Sequence, residues 1–233
     1  ANDGNLYGAT QGGGTSGGTG TIFKVTPSGN VTTLVNLNNI GDVKSQLIQG
    51  SDGSLYGTTR LGGADNKGTA YKVTLDGVVT LLAQFTGTAG ATKGYSPYSG
   101  LTQGADGDYY GTTWVGGQFD QGTFFKVTTG GVMTTLHEFS GNGNGDPIAP
   151  FGPLTLAADG SILGGLSFGG SGSGGAIFKQ AFLSAAATGA EGSPATITGT
   201  FSDPDGNATV TLSASRYHAL SSPVARRLYR ILE

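Results

Sequence analysis

The feature that most constrains the fold of this chain is a motif that occurs four times. In each repeat an Asp–Gly pair precedes a short apolar segment, and an aromatic–lysine pair follows 19 or 20 residues after the aspartate. The Asp–Gly pairs begin at residues 3, 52, 106 and 159, so successive repeats are 49, 54 and 53 residues apart. The aromatic–lysine pairs are Phe23-Lys24, Tyr71-Lys72, Phe125-Lys126 and Phe178-Lys179. An internal spacing shared by four repeats indicates one structural unit built four times.

The second repeat shows how each unit is expected to fold. Its β-branched and aromatic segments are separated by turns and loops rich in Asp and Gly, which predicts four short strands. These strands are expected at 45–50, 55–60, 69–74 and 78–85. On the fourth strand the odd-numbered residues form the more apolar face, namely Val79, Leu81, Ala83 and Phe85. We therefore expect Leu55, Leu81 and Tyr71 to lie in the core.

Four antiparallel strands in a repeat of roughly 50 residues are typical of a β-propeller blade. We predict an all-β fold, a β-propeller-type array of four-stranded antiparallel blades in about four repeats. A single blade cannot bury both of its faces, so neighbouring blades must stack on each other. A flat β-solenoid is the alternative, although its repeats are usually shorter. The 45 glycines among 233 residues suit the tight turns that either fold requires.

The predicted propeller-like region spans residues 1–180, with repeats at 1–37, 45–85, 99–139 and 152–180. The first repeat has no room for the strand that precedes its aspartate, and we interpret the start of the chain as a processed or truncated end. The last repeat has Gly189 where the others place a leucine in the fourth strand. Either residues 195–201 supply the strand missing from the first repeat and close a ring of four blades, or the chain is an open arc of a larger ring. We favour the open arc, whose exposed strand edges would promote self-association.

Beyond the repeats the composition changes twice. Residues 181–215 are expected to form closing strands or a truncated Ig-like segment. Residues 216–233 hold four of the five arginines and are expected to form a basic tail with a short helical stripe. Residues 203–207 have the oxygen-bearing side chains of a calcium loop, but we interpret them as a turn because the rest of such a loop is missing.

Composition argues against several classes of function. The net charge of −3 and a charged fraction of 12% provide no basic surface for nucleic acid. The absence of cysteine excludes disulfides, thiolate nucleophiles and cysteine-ligated zinc. No apolar run reaches 18 residues, so we expect no membrane span.

Catalytic or metal-binding motifs are not recognisable in the sequence. The two histidines, His137 and His218, lack the spacing of a catalytic triad or a zinc motif. His137 replaces apolar residues of the other repeats, so we interpret it as a hydrogen-bonded core residue. We predict no catalytic residue, no metal and no cofactor.

We interpret the aspartates and lysines that recur in all four repeats as structural residues. The aspartates of the four Asp–Gly pairs are expected to be turn residues. The lysines that follow the aromatics are expected to lie along the sheet, with the ammonium in water or paired with an acid. A ring of these lysines around an anionic ligand is the alternative.

The loops after the second strands differ between repeats and are the best candidates for ligand binding. Equivalent loops of a propeller lie on one face, where a constant scaffold presents variable side chains. The candidate ligand-binding residues are Arg60, Asp65, Asn66, Trp114, Phe119 and Asp120. Together they would form an aromatic and polar patch for a sugar or a peptide. The alternative is that these loops vary because nothing constrains them.

The repeated pattern DG-x-LYGTT-x-x-GG-x(4)-GT-x-FKVT resembles that of the GloVer tandem-repeat proteins over residues 1 to about 180. Repeats 2 and 3 match it closely, whereas repeat 1 departs at Ala9 and repeat 4 at Leu163 and Ala176. The resemblance implies secreted bacterial proteins with a propeller-like fold, often with a C-terminal surface anchor and without a defined activity. Residues 191–215 are similar to the opening strands of an Ig-like or PKD-like module. We therefore expect the chain to be a fragment of a larger extracellular protein.

Two functional hypotheses follow. The first is a non-catalytic extracellular repeat module that binds carbohydrate or protein, or that supports a surface assembly. The second is a secreted polysaccharide hydrolase or lyase, with paired carboxylates on the loop face. Loss of turnover in Asp65→Ala or Asp120→Ala would favour the enzyme, and loss of glycan binding in Trp114→Ala would favour the module.

Overall fold

In a computed structural model, the described part of the chain comprises residues 1–14, 20–37, 40–141, 148–168 and 175–182, together with the strands 201–202 and 209–210. These residues form strands, turns and loops, and none of them is helical. The strands are β1 (Leu6–Thr10), β2 (Thr21–Val25), β3 (Val31–Asn36), β4 (Ile48–Gln49), β5 (Leu55–Thr59), β6 (Thr69–Val73), β7 (Val79–Gln84), β8 (Thr102–Gln103), β9 (Tyr109–Thr113), β10 (Thr123–Val127), β11 (Met133–Glu138), β12 (Ile148–Pro150), β13 (Thr155–Leu156), β14 (Ile162–Phe168), β15 (Ala176–Gln180), β16 (Phe201–Ser202) and β17 (Thr209–Val210).

The strands are arranged as one antiparallel sheet per repeat. Repeat 2 forms the sheet β4-β5-β6-β7 and repeat 3 the sheet β8-β9-β10-β11, in sequence order. Repeat 1 forms the three-stranded sheet β1-β2-β3, and repeat 4 forms β12-β14-β13 with β15 paired to β14. The predicted all-β array of antiparallel propeller-type blades is therefore confirmed.

A glycine beneath an aromatic ring recurs in the sheet of each of the four repeats. The glycine of the second strand is paired across the sheet with the aromatic residue that precedes the repeated lysine. The pairs are Gly8 with Phe23, Gly57 with Tyr71, Gly111 with Phe125 and Gly164 with Phe178. A Cβ on Gly57 would lie 2.7 Å from the Tyr71 hydroxyl oxygen. Glycine is therefore required because the ring lies over its own repeat's backbone.

Neighbouring repeats bury their faces against each other, as the stacking argument predicts. We call the face toward the following repeat the forward face and the face toward the preceding repeat the backward face. Tyr56 and Ala70 on the forward face of repeat 2 share a cluster with Tyr109 and Phe125 on the backward face of repeat 3. A second cluster joins repeat 1 to the backward face of repeat 2, and it includes Ile22, Leu37, Leu55, Tyr71 and Val73. Alternation along each strand thus sends its side chains into two different junctions.

The predicted apolar face of the fourth strand is wrong at one position because of a β-bulge. Ala70 pairs with Ala83, but the next residue, Tyr71, pairs with Leu81, so Leu82 has no directly opposite partner. The extra residue reverses the alternation, and Leu82 is 8% exposed whereas Leu81 is 40% exposed. Leu55 and Tyr71 are buried as expected. The same irregularity occurs in repeats 1 and 3.

The expected core position of His137 is also wrong. His137 is exposed rather than buried, because the bulge in repeat 3 shifts the register between His137 and Thr135. Its ring contacts the edge of Phe139, with ring centroids 4.7 Å apart. The connection between repeats 3 and 4 also contains β12, which pairs with the end of β14 through Ile148 and Pro150.

The chain divides into two compact units, Ala1–Ala181 and Phe182–Glu233. In the second unit the described residues are Phe182 and the strands β16 and β17, which pair antiparallel. The expected turn at 203–207, most of the closing segment 195–201 and the basic tail 216–233 lie outside the described residues. No helix among the described residues is long and apolar enough to cross a membrane.

Candidate functional site

The strands of each repeat have two ends with different chemistry. We call one the turn end, which in repeat 2 holds the turns at 50–54 and 74–78. The other is the loop end, which holds the loop at 60–68 and the connection to the next repeat at 86–100. Because the strands are antiparallel, equivalent turns and loops recur at the same ends in each repeat.

At the turn end, the aspartate of each Asp–Gly pair closes a tight turn. Asp52 Oδ1 accepts a hydrogen bond of 3.1 Å from the backbone N–H of Ser54, and Gly53 has a φ of 80°. The same bond joins the other three aspartates to the N–H two residues later, at 2.9 to 3.2 Å. The equivalent bonds are made by Asp3 with Asn5, Asp106 with Asp108 and Asp159 with Ser161. The predicted turn role is confirmed.

The same carboxylate also binds a tyrosine and a lysine of its own repeat. Asp52 Oδ2 accepts hydrogen bonds from the Tyr56 hydroxyl at 2.8 Å and from Lys72 Nζ at 2.7 Å. Partial burial raises the pKa of Asp52, but the hydrogen bonds from Lys72 and Tyr56 outweigh it and lower the pKa to about 2. Burial and then the bond to Asp52 raise the pKa of Tyr56 to about 12. The carboxylate is therefore ionised across the physiological range.

Equivalent lysines are paired in the other repeats. Lys24 lies 3.6 Å from Asp3, and Lys179 lies 2.7 Å from Asp159. In repeat 3 the partner changes, because Lys126 pairs with Asp108. The hydrogen bond from Lys179 leads the effects that hold the pKa of Asp159 below its usual range. Of the two expected environments of the ammonium, water or an acid, the structure shows pairing with an acid in all four repeats.

At the loop end, two of the predicted site residues shape the loops that carry them. Asn66 and Asp120 occupy equivalent positions with φ of 53° and 55°, where a non-glycine residue is uncommon. Asn66 Oδ1 accepts a hydrogen bond from Gly62 N at 2.9 Å, and Asp120 Oδ1 accepts one from Gly116 N at 2.8 Å. These side chains hold the loops at 62–68 and 116–122 in one conformation.

Arg60 and Trp114 also occupy equivalent positions, directly after the second strand. Arg60 donates to Asp42 Oδ2 from both Nε, at 3.1 Å, and Nη2, at 3.0 Å. A hydrogen bond with Tyr98, followed by the contact with Asp42, raises the pKa of Arg60. These two contacts hold the guanidinium group of Arg60 between the connection that follows repeat 1 and the connection that precedes repeat 3.

Trp114 belongs to a group of aromatic rings that the structure brings together at the loop end. The Tyr98 ring meets the Trp114 ring edge to face with centroids 5.5 Å apart, and it lies 5.4 Å from the Phe151 ring. Trp114 is 41% exposed and Phe151 is 56% exposed. We call Arg60, Tyr98, Trp114 and Phe151 the aromatic patch. It joins three successive repeats.

Sequence reasoning missed Tyr98 and Phe151 because they lie in connections between repeats. A weak signal was present, since each lies three residues before a leucine of the repeat, Leu101 or Leu154. Both also follow a proline, Pro97 or Pro150.

The remaining predicted residues, Asp65 and Phe119, lie in the loops shaped by Asn66 and Asp120. They occupy equivalent positions, and both are exposed at the loop end, Phe119 by 48%. Within the described part of the chain, no group of three or more His, Cys, Asp or Glu residues is arranged to hold a metal ion.

No curated protein matches the chain. Two solved structures are similar to part of it. One is a proposed gluconolactonase, with 13% identity, a TM-score of 0.41 and coverage of 64% of this chain and 51% of that one. The other is a proposed 6-phosphogluconolactonase from Bacteroides fragilis, with 17% identity, a TM-score of 0.44 and coverage of 70% and 46%. The chain thus spans about half the length of each, and this similarity assigns it no activity.

The family comparison covers almost the whole chain. Residues 1–213 match the Gloeobacter/Verrucomicrobia repeat, which extends past the end of the fourth repeat near residue 180. The match includes most of the segment 191–215, for which the sequence predicts the opening strands of an Ig-like or PKD-like module. This chain belongs to the Gloeobacter/Verrucomicrobia repeat family.

Proposed function

We propose that this chain is a non-catalytic, extracellular binding module that holds a carbohydrate on the aromatic patch. The observation that supports the proposal is the contact of Tyr98 with both Trp114 and Phe151, two rings that remain exposed. Large apolar groups left exposed at one place on a soluble surface mark an interaction site. The extracellular location rests on the family and on its implied secretion.

The chemistry of the patch favours a sugar. Aromatic rings present flat apolar faces, which suit the C–H faces of pyranose rings and need little ordering because each side chain has two rotatable bonds. Arg60 adds N–H donors that Asp42 and Tyr98 hold in place, and sugar hydroxyl groups are suitable acceptors. The aromatic rings give a bound sugar its contact area, and the fixed polar edge at Arg60 orients it.

The loops beside the patch supply additional contacts in this proposal. Phe119 is an exposed aromatic side chain in the same repeat as Trp114, and Asp65 is an exposed acid in the same repeat as Arg60. Asn66 and Asp120 contribute by holding these loops in shape. We therefore expect Phe119 and Asp65 to extend the site toward further sugar units.

The proposal is tested by glycan-array screening followed by calorimetric titration of the best glycan. Trp114→Ala is expected to weaken binding at least tenfold, and Trp114→Phe to retain a measurable part of it. Val132→Ala serves as a matched control, because it removes an exposed apolar side chain from the turn end. Equal affinity of the native chain and Trp114→Ala would contradict the proposal.

The same glycans separate a binding module from a hydrolase or lyase. After prolonged incubation the binding module releases no new reducing ends and no unsaturated products. Turnover that disappears in Asp65→Ala or Asp120→Ala, with the fold intact by circular dichroism, would support the enzyme instead.

A further inference from the structure

The aromatic patch is part of a longer row of side chains at the loop end, which two sets of equivalent positions form. One set lies in the connections, three residues before the leucine of the following repeat, and consists of Lys44, Tyr98 and Phe151. The other set directly follows the second strands of the first three repeats and consists of Gln11, Arg60 and Trp114. The row therefore continues past Arg60 to Lys44 and Gln11.

Backbone pairing confirms that these positions are equivalent. The N–H of Arg60 donates to the carbonyl of Asp42 at 2.7 Å, as the N–H of Trp114 donates to the carbonyl of Ser96 at 3.1 Å. Lys44 lies two residues after Asp42 in a segment that forms an antiparallel bridge with the end of β5. Alternate residues of an extended segment share a face, so Lys44 and Asp42 lie on the same side, roughly 6.5 Å apart along the chain.

The side-chain contacts repeat along the row. Tyr98 makes a hydrogen bond with Arg60 of the preceding repeat and a ring contact with Trp114 of the following one. Lys44 Nζ likewise donates to Gln11 Oε1 of the preceding repeat, at 2.5 Å. Its neighbour in the following repeat is Arg60, at the position of Trp114. We call Lys44 and Arg60 the cationic end of the row.

The positive charge of Lys44 is not offset by an acid among the described residues. Lys67 also has no acidic partner there, but its ammonium lies over the Tyr95 ring, 4.4 Å from the centroid. The other described lysines and the described arginine each contact a carboxylate; they are Lys24, Arg60, Lys72, Lys93, Lys126 and Lys179. Lys44 is exposed, and the amide oxygen of Gln11 that it contacts is neutral.

This arrangement suits an anionic ligand. Gln11 orients the ammonium of Lys44 without neutralising it and leaves its other N–H donors for a ligand. Asp42 offsets the charge of Arg60, so the positive charge of the cationic end comes from Lys44. The chain around Gln11, from 9 to 20, and the chain before Asp42, from 36 to 41, contain no further acidic residue.

We propose that the carbohydrate held on the aromatic patch is acidic, and that its carboxylate or sulfate group binds Lys44 and Arg60. This inference rests on the proposed carbohydrate-binding function and names the class of its ligand. A sugar ring packs on the exposed rings of Trp114 and Phe151, while its chain continues past Tyr98 to the cationic end. Charge-assisted hydrogen bonds from an ammonium and a guanidinium then fix the direction of the chain on the row.

The test compares glycans that differ in charge by calorimetric titration of the full chain. A short oligogalacturonate is expected to bind at least about tenfold more tightly than its methyl ester, because hydrogen bonds to charged groups are the stronger ones. A sulfated galactan oligomer and its desulfated form separate sulfate from carboxylate, and preference for either charged form supports the proposal. Preference for a cationic chitosan oligomer would show that Asp65 governs recognition and would overturn the proposal.

Two lysine variants identify the source of the charge preference. Lys44→Gln should weaken binding of the preferred acidic glycan at least about tenfold and leave the affinity for its neutral form unchanged. Lys44→Arg, which keeps the charge, should retain the affinity within about threefold. Lys67→Gln makes the same charge change in the loop of repeat 2 and should alter the affinity less than about twofold. Circular dichroism verifies the fold of each variant.

Failure of this proposal differs from failure of the carbohydrate-binding function. Charged and neutral glycans that bind equally, with binding still lost in Trp114→Ala, would leave the function in place and overturn the acidic ligand. Equal effects of Lys44→Gln and Lys67→Gln would do the same, since they would show only a general influence of net charge. A native chain that binds none of these glycans would overturn both proposals.

Discussion

Asp52 at the turn end and Arg60 at the loop end of the same sheet differ in how far their contacts reach. At the turn end Asp52 binds Ser54, Tyr56 and Lys72, all within its own repeat. At the loop end Arg60 reaches Asp42 in the connection from repeat 1 and Tyr98 in the connection to repeat 3. Contacts within a repeat are regenerated in each repeat, whereas contacts between repeats depend on which neighbours meet.

In this molecule the contacts at the turn end stabilise each repeat, whereas the loop end presents side chains that are available to bind a ligand. The turn end presents nearly the same side chains four times, and they satisfy one another through hydrogen bonds and ion pairs. The loop end presents different side chains at several equivalent positions, such as Arg60 and Trp114, and leaves aromatic rings exposed. We therefore expect substitutions at the turn end to change stability and substitutions at the loop end to change binding.

The largest expected effect is on stability at the turn end. Asp52→Ala removes the acceptor of three hydrogen bonds and should lower the free energy of unfolding by about 2 kcal/mol. Asp65→Ala, which removes an exposed aspartate from the loop end of the same repeat, should change it by less than about 0.5 kcal/mol. Urea unfolding measures both values, and equal changes would contradict the comparison.

A pair of isosteric substitutions separates hydrogen bonding from packing. Tyr56→Phe removes the bond to Asp52 and should lower the free energy of unfolding by about 1 kcal/mol. Tyr71→Phe removes a buried hydroxyl group that has no hydrogen-bond partner among the described residues, and it should raise the free energy of unfolding by up to about 1 kcal/mol. The other three repeats have phenylalanine at that position. Thermal unfolding should show shifts of opposite sign, and a loss of stability in Tyr71→Phe would show that its hydroxyl is satisfied.

Acid should weaken the turn end specifically. The folded state depresses the pKa of Asp52 from 3.8 to about 2, so the stability it contributes is complete above about pH 4 and is lost as the pH falls toward 2. Asp52→Asn should therefore lose less stability than the native chain between pH 4 and pH 2. Asp65→Asn provides the loop-end control and should follow the native profile. Parallel profiles for all three proteins would show that the turn end does not account for acid sensitivity.

The smallest expected effect is that of Trp114→Ala on stability. Trp114 is 41% exposed, and its ring contact with Tyr98 lies at the surface, so the free energy of unfolding should change by less than about 0.5 kcal/mol. Urea unfolding of this variant provides the counterpart to its glycan titration. A loss of more than 1 kcal/mol would show that the aromatic patch is part of the core and would weaken the separation of the two ends.

Much of the fold could be predicted from the sequence because it depends on contacts within one repeat. The Asp–Gly turns, the pairing of Lys72 with an acid and the burial of Leu55 and Tyr71 all follow from the repeated pattern. The bulge between Ala70 and Tyr71 was not predicted, because the adjacent Leu81 and Leu82 look alike within repeat 2. Its signal is the leucine that the first three repeats share, which falls on Leu82 and not on Leu81. The exposure of Leu81 follows from that one extra residue.

The candidate site was harder to predict because it is assembled from different repeats. Trp114 was identified by its departure from the residues at equivalent positions. Tyr98 and Phe151 were missed because they lie in connections that vary in length, and the proline before each and the leucine three residues after each are a weak signal. The three rings come together because neighbouring blades stack on each other. The sequence of a single repeat gives no information about that stacking.

In the sheet of each repeat a glycine lies beneath an aromatic ring, and this pairing affects how such a protein gains repeats. Gly111 and Phe125 face each other across neighbouring strands, so a larger residue at the first position would need a smaller one at the second. Both positions are inherited together when a single unit of the gene is duplicated. A duplicated repeat therefore already contains a matched glycine and aromatic residue. Mutations in its loops can accumulate without disturbing that pair.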